Sequence, residues 1–450
     1  MGNMGTLSSL GDSALLSRLS AYEKKDSDHW SFRGNASRQH GHAYFQYPAM
    51  MVPQMVGDLL TAISANNPNI RRVYDPFAGS GTALTEAMMR GLDFNGQDIN
   101  PLAVLLCQAK SIPFFDAALV DKLDEIVAIA RSDSKRSLEV SFAGRKKWFS
   151  NPVTLGLSRL RRAIRAESTL WARRFFWVAL AETVRITSNS RTSTFKLHIR
   201  SKDDIESRRP LPIEIFLRIG ERNIEHLRAQ KESLIEKGFI KRGHYIGQVK
   251  VNVANSTNAR HLTNGELKHD ILVTSPPYGD NATTVPYGQH SYLPLQWIDL
   301  SDISSEIDVD CLSSTHAIDS HSLGGSKRGA SSGVKHLADK SSTFAKSIAA
   351  LRSEPADRSQ RVVAFCRDLE KCIEPILAVM RPDAVMIWVL GNRRVGGKTI
   401  PLDRILSEFL INYSSRSIAI IKRDIPSKRM ALRNRVSATM RTENIIVFRK

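Results

Sequence analysis

A chain of 450 residues with 42% hydrophobic side chains can bury a large core and hold two or three domains. Sixty-four Lys and Arg against 45 Asp and Glu leave a formal charge of +19, an excess that an enzyme of small neutral metabolites does not need and a phosphate-neutralising protein does. Four cysteines (Cys107, Cys311, Cys366, Cys372), with no CxxC pair and no His/Cys ligand spacing, argue against a disulfide framework and a structural zinc. No apolar run reaches the ~18 residues of a membrane span. The expectation is a cytoplasmic protein with no metal and no membrane partner.

Residues 1–36 are polar, with a short helical pattern over 7–22 that is too little for a domain. At 73–75 the chain reads as the end of a buried strand, followed by a glycine-rich turn and an amphipathic helix at 82–90. A second strand, 94–98, follows Gly91. This is the strand–helix–strand unit that builds parallel sheets. From 113 to 240 the pattern is helical and charged, and 119–131, 154–165, 170–184 and 212–238 place apolar residues at three- and four-residue spacing. Strands return at 248–253, 270–274 and 384–390, and 417–421 with 444–448 are expected to form a terminal hairpin. Residues 301–360 are rich in Ser, Gly, His and charge, which predicts a long mobile loop or a small subdomain that orders on a partner. The organisation predicted is an N-terminal segment (1–36), an α/β core (37–112, 241–300 and 361–450), a helical insert (113–240) and the polar segment (301–360).

Two loops carry the chemistry. The first, Asp75-Pro76-Phe77-Ala78-Gly79-Ser80-Gly81-Thr82, lies between a strand and a helix. Its glycines allow a sharp turn and close approach to a ligand, and the helix that follows points its first N–H groups into the same crevice. Asp98, at the end of the next strand, offers an acceptor for both ribose hydroxyls of a nucleoside cofactor. The third glycine of a dinucleotide fingerprint is missing, which disfavours NAD. In the second loop, the strand 270–274 runs straight into Ser275-Pro276-Pro277-Tyr278. Consecutive prolines hold the backbone extended and remove two N–H donors, leaving carbonyls as unpaired acceptors.

These residues resemble the amino-methyltransferases of DNA, whose cofactor motif reads Asp-Pro-Phe-x-Gly-Ser-Gly-Thr and whose catalytic motif is Ser/Asp-Pro-Pro-Tyr. Upstream, Tyr47-Pro48-Ala49-Met50-Met51-Val52-Pro53 is similar to the segment that these enzymes place beside the methionine end of the cofactor. The resemblance implies an α/β fold: a Rossmann-like S-adenosylmethionine-dependent methyltransferase sheet, here with a helical insert and a long polar loop. It implies that Tyr47, Asp75, Phe77, Gly79, Gly81, Thr82 and Asp98 form the S-adenosylmethionine pocket. Asn255 stands where the family has an acidic residue touching the adenine amino group, and its carbonyl would accept the same hydrogen bond. Ser275, Pro276, Pro277 and Tyr278 would be catalytic: the Ser275 hydroxyl and the Pro276 carbonyl as acceptors for the two amino hydrogens, Tyr278 as a stacking face for a flipped base. Serine in first place resembles the N4-cytosine subgroup more than the N6-adenine one. Carbon-5 methylation would need a cysteine after a proline, and none of the four cysteines has that neighbour.

Double-stranded DNA is the partner that the charge and the resemblance imply, with a companion restriction endonuclease or defence protein by family. Two basic stretches suit its phosphates. One is Arg145-Lys146-Lys147-Trp148-Phe149 with Arg161, Arg162, Arg165, Arg173 and Arg174; the other, 422–441, includes Lys428, Arg429, Arg433 and Arg435. Ser188-Asn189-Ser190-Arg191 is expected to add polar base contacts. The insert and the segment 301–360 are expected to set specificity. Alternatives are an RNA guanine-N2 methyltransferase, disfavoured because fewer than ~50 residues precede the first motif, and a DNA-binding subunit without catalysis, disfavoured because Ser275 and Tyr278 are both present. Tyr287 is open between pocket wall and packing; Trp297 is expected to pack.

Overall fold

The computed structural model describes residues 4–33, 38–65, 67, 69–257, 268–281, 283–425 and 441–450. Among them one seven-stranded sheet is built from β1 Arg72–Asp75, β2 Asp93–Asp98, β3 Val249–Val253, β4 His269–Thr274, β5 Met380–Leu390, β6 Arg416–Asp424 and β7 Thr442–Arg449. The order across the sheet is β6-β7-β5-β4-β1-β2-β3. The five strands β3, β2, β1, β4 and β5 pair in parallel, and β7 runs antiparallel between β5 and β6. The chain works outward from β1 to β3, then returns to β4 on the other side of β1. Such a reversal opens a crevice at the carboxyl ends of the strands.

Successive strand residues point to opposite faces, and here both faces are apolar. Along β5, Val385, Ile387 and Val389 enter one buried cluster while Ala384, Met386, Trp388 and Leu390 enter a second. Along β4, Ile271 and Val273 go to the first and Leu272 to the second; Ile445 and Val447 part from Ile446 and Phe448 on β7 in the same way. A sheet of this composition needs helices on both sides. The first face is covered by helices Pro53–Ser64, Thr82–Met88 and Pro101–Lys110, and by the insert. Helices Ala356–Ala378 and Leu402–Asn412 cover the second.

The helices predicted between 113 and 240 are found at Asp116–Ser132, Asn151–Ala166, Leu170–Thr187 and Pro212–Glu236. Their apolar stripes (Leu119, Leu157, Phe176, Phe216) join the same cluster as the sheet residues, so the insert shares the core of the central sheet. The N-terminal pattern becomes the helix Met4–Lys25, whose Leu15 and Leu19 enter that cluster and whose Asp12 pairs with Arg449 of β7 at 2.7 Å.

The segment 301–360 forms short helices, among them Ala317–His321, Val334–Lys340 and Ser342–Ala350. Leu323, Leu337, Phe344 and Leu351 sit in the second cluster. Few large apolar residues suffice here, because the helix Ala356–Ala378 supplies the facing surface. Ser341 caps Ser342–Ala350 by accepting from the Phe344 N–H at 2.9 Å. Among the described residues no helix is long and apolar enough to cross a membrane.

Candidate active site

A cleft of about 480 Å³ opens where the loops after β1, β2, β3 and β4 meet. Its walls include Tyr47, Phe77, Gly79, Thr82, Asp98, Asn100, Asn255, Ser275, Pro277, Asn281 and Tyr287, together with Ile318 and Leu323 from the segment 301–360. The fold thus brings into one cavity residues that are up to 324 positions apart in sequence, from Tyr47 to Lys371.

The turn after β1 is held by its own hydrogen bonds. Gly79 and Gly81 adopt φ of +51° and +77°, a region that L side chains avoid. The Gly81 N–H donates to the Ala78 carbonyl at 2.8 Å, and the Gly79 N–H donates to Asp98 Oδ2 at 2.8 Å. Asp98 Oδ1 accepts from the Asn100 N–H at 2.8 Å. Each carboxylate oxygen keeps a further lone pair, and Asp98 lines the cleft. Burial pushes its carboxyl up to about 6 against these hydrogen bonds.

Asp75, expected in the cofactor pocket, does not line the cleft. It lies fully buried beneath the loop, away from the cleft surface, because its Oδ1 is engaged by the Phe77 N–H at 3.0 Å and the Thr274 hydroxyl at 2.6 Å. Thr274 immediately precedes Ser275, so Asp75 is a strut from the first loop to the second. Burial pushes its carboxyl up to about 7.

Asn255 lines the cleft as expected, but with its carbonyl engaged. Its Oδ1 accepts from both the Thr257 N–H and the Thr257 hydroxyl at 3.0 Å. The backbone donor fixes which end is oxygen, so the group left for the cleft is an amide donor rather than the acceptor expected.

Two residues missed in the sequence complete this side. Asn100 caps Pro101–Lys110 through the Leu102 N–H at 3.1 Å, and its Nδ2 donates to the Tyr47 hydroxyl at 3.0 Å and to Ser291 Oγ at 2.7 Å. The Asn-Pro pair was a legible cap signal, but these partners were not. Lys110, buried at the other end of that helix, donates to the Ser80 carbonyl, and burial lowers its ammonium to about 8.

On the opposite wall, Ser275 and Pro277 face the cleft while Pro276 is buried and Tyr278 half-buried. Among the described residues nothing donates to the Pro276 carbonyl. Ser275 Oγ lies 3.1 Å from the Tyr278 hydroxyl, which donates to Glu443 Oε1 of β7 at 3.1 Å. Arg423 of β6 pairs with Glu443 Oε2 and donates from Nε to the Trp30 carbonyl at 2.8 Å. Asn281 donates to Asp319 Oδ1 at 3.0 Å, and the same oxygen takes the Gly288 N–H at 2.8 Å, which ties this loop to the helix Tyr287–Leu295. Asn281 Oδ1 is buried without a partner among the described residues. Tyr287 stacks on Tyr47 with ring centroids 5.8 Å apart and lines the cleft, whereas Trp297 is fully buried against Phe149.

The basic stretches divide. Arg161 and Arg162 pair with Glu139, Arg162 also with Asp133, Arg165 with Asp299, and Arg173 with Asp302, while Arg174 donates to the Asp302 carbonyl. Arg161 and Arg162 thus brace the insert internally, and Arg165, Arg173 and Arg174 tie it to residues 299–302. Among the described residues Arg145, Lys146, Lys147 and Arg191 have no ion pair. Asn189 bonds the Trp148 and Lys147 carbonyls at 2.8 and 3.0 Å and so brings the two segments side by side. Lys428, Arg429, Arg433 and Arg435 lie outside the described residues. No group of three His, Cys, Asp or Glu able to hold a metal occurs among the described residues.

The sheet order, the glycine turn after β1 and the Ser-Pro-Pro-Tyr loop after β4 define a Rossmann-like methyltransferase. Comparison with known proteins agrees. The chain is 30% identical over 459 residues to the Type II methyltransferase M.MvaI of Kocuria varians, covering 97% of each sequence. The chain belongs to the Type II methyltransferase family. No family model matches it. Two solved structures of the rRNA methyltransferase AviRa from Streptomyces viridochromogenes align over 93% and 90% of this chain and 96% and 88% of theirs, at 10% and 11% identity. Their TM-score of 0.29 carries no argument about fold or substrate.

Proposed function

We propose that this chain, in the cytoplasm, transfers a methyl group from S-adenosylmethionine to the exocyclic amino nitrogen of a base flipped out of double-stranded DNA, N4 of cytosine before N6 of adenine. The observation that carries it is a single cleft with the Asp98 carboxylate on one wall and the Ser275 hydroxyl on the other, braced by the Asp75–Thr274 hydrogen bond. The name of the Kocuria varians relative points the same way.

The residues present fit the cofactor. Asp98 has lone pairs free for ribose hydroxyls, Asn255 offers an amide donor, and the cleft is of the size that holds a nucleoside ligand. Bound there, S-adenosylmethionine supplies a methyl group already activated by its sulfonium, so the chain's residues have to position rather than to activate. Tyr47, Phe77, Gly79 and Thr82 shape that side, and Gly81 sets the turn beneath it. Opposite, Ser275 Oγ and the Pro276 carbonyl hold the two amino hydrogens and leave the nitrogen lone pair directed at the methyl. Pro277 fixes the loop, and Tyr278 offers a ring to the base. Half-buried Arg145 and the exposed Lys146, Lys147 and Arg191 are the cations for phosphates. Their neighbour Leu197 reaches the helix of Tyr287 through Gln289 at 3.4 Å, which puts this face beside the cleft. Specificity is assigned to the insert and the segment 301–360, and a companion restriction endonuclease or defence protein is part of the same proposal.

Mass spectrometry of nucleosides from the DNA of an unmethylated host expressing the chain tests this. N4-methylcytosine is the expected product. N6-methyladenine would keep the mechanism and change the base, while modified guanine in RNA with clean DNA would overturn the substrate.

Cofactor affinity should also depend on pH. Below about 6 the Asp98 carboxyl is neutral in the free protein, and a ribose hydroxyl donates more strongly to the carboxylate than to the acid. The Kd for S-adenosylmethionine is therefore expected to rise as pH falls through about 6 and to level off above it. Calorimetry across that range checks this, and Asp98→Asn should flatten the profile. A wild-type profile that is already flat takes Asp98 out of the site.

A further inference from the structure

A serine that must accept a hydrogen bond has a difficulty that an aspartate does not. Its hydroxyl carries a proton, and when that proton points at the substrate amino group, donor faces donor. The family motif admits Asp or Ser in this place, and the ionised Asp can only accept. Something must turn the Ser275 proton away.

From the hydrogen-bond chain that runs outward from Ser275, we infer that Glu443 is a positioning residue that makes Ser275 an acceptor, acting through the Tyr278 hydroxyl. This rests on the proposed function above. The carboxylate of Glu443 has no proton to give, so across 3.1 Å the Tyr278 hydroxyl is the donor. That uses its only proton. Across the 3.1 Å to Ser275 Oγ, the Tyr278 oxygen must then accept and Ser275 must donate. Both lone pairs of Ser275 Oγ are left for the cleft, which Ser275 lines. Arg423 sets the direction of the whole chain. It is buried and pinned by the Trp30 carbonyl, and its guanidinium faces Glu443 Oε2, so an oxygen has to stand on that side.

The near-isosteric Glu443→Gln tests this sharply. Arg423 demands the amide oxygen, so the Gln NH₂ turns to Tyr278 and donates to it. Tyr278 then donates to Ser275, and the Ser275 proton is sent into the cleft. The expected result is a loss of kcat of about 10²-fold, with the Kd for S-adenosylmethionine and Tm close to wild type. In a Tyr278→Phe background the chain is already cut, and Glu443→Gln is expected to change kcat by less than about twofold. A side chain that only supports the fold would give the same loss in both backgrounds and would lower Tm with it.

Wild-type turnover with an equally active Glu443→Gln overturns the inference alone, as does an undiminished effect in the Tyr278→Phe background. Should Glu443→Gln fail to fold, Tyr278→Phe by itself decides: a wild-type kcat overturns the inference, and a loss near 10²-fold supports it. A wild-type protein that methylates no base overturns the proposed function, and the inference falls with it.

Discussion

Ser275→Ala is expected to lower kcat about 10²–10³-fold, equivalent to about 2.7–4 kcal/mol of transition-state stabilisation, the range seen when one preorganised hydrogen-bond partner is removed from a reacting centre. The effect should fall on kcat because of how charge develops. The exocyclic nitrogen is nearly neutral in the ground state and becomes cationic as it takes the methyl, so an acceptor on its N–H holds the transition state more tightly than the substrate. The KM for DNA and the Kd for S-adenosylmethionine should therefore move less than about threefold. Folding should be little affected, since Tyr278 keeps its bond to Glu443 and Thr274 its bond to Asp75 when the Ser275 hydroxyl is gone. Ser275→Asp, which restores an acceptor that needs no orienting, is expected to retain more activity than Ser275→Ala. Steady-state kinetics with calorimetry for the cofactor separate the cases. A variant that raises KM and leaves kcat intact would mean that Ser275 binds DNA and does not act in the transition state.

The parts of this site that were legible in the sequence are those whose chemistry is local. Gly79 and Gly81 stand where the backbone needs positive φ, and the prolines 276 and 277 fix their own dihedrals. Strand residues were found by their apolar runs, but β5 begins at Met380, before the expected 384, because Arg381-Pro382-Asp383 hides a stretch that nevertheless pairs through Met380 with His269. What remained hidden depends on partners far away in the chain. Glu443 meets Tyr278 across 165 residues, and Thr274 meets Asp75 across 199. Nothing local to Asp75 shows that Thr274 will engage its carboxyl, and the family pattern by itself had placed it at the ligand.

Charge was legible in amount and not in use. Arg161, Arg162 and Arg173 read as a phosphate-binding run until the fold supplies Glu139, Asp133 and Asp302, the last buried and held bidentately by Arg173 at 2.8 Å. At Asn255 the difference has a more local reason. Thr257, two positions on, captures its oxygen in a side-chain turn, so substituting Asn for an acid changed the group offered to the cleft from acceptor to donor.

Gly81→Ala should be the more damaging of the two glycine substitutions in the turn after β1. At φ +77° an L residue costs about 1–2 kcal/mol. Its Cβ would also lie 2.8 Å from Cys107 Sγ, and overpacking of that kind adds about 1–3 kcal/mol. The turn has little room to relax. Its Ser80 carbonyl is held by Lys110, its Gly79 N–H by Asp98, and the Gly81 N–H by the Ala78 carbonyl. The expected destabilisation is about 2–5 kcal/mol, with loss of S-adenosylmethionine binding wherever the turn gives way. Gly79→Ala has the same dihedral problem at φ +51°, but its Cβ would find nothing closer than 3.8 Å, so about 1–2 kcal/mol is expected there. Adding Cys107→Ala to Gly81→Ala should recover the steric share and leave the dihedral share. Thermal unfolding of the four chains reads both terms. Equal losses for Gly79→Ala and Gly81→Ala, with no recovery from Cys107→Ala, would mean that backbone conformation alone requires glycine at 81 and that the contact with Cys107 is soft.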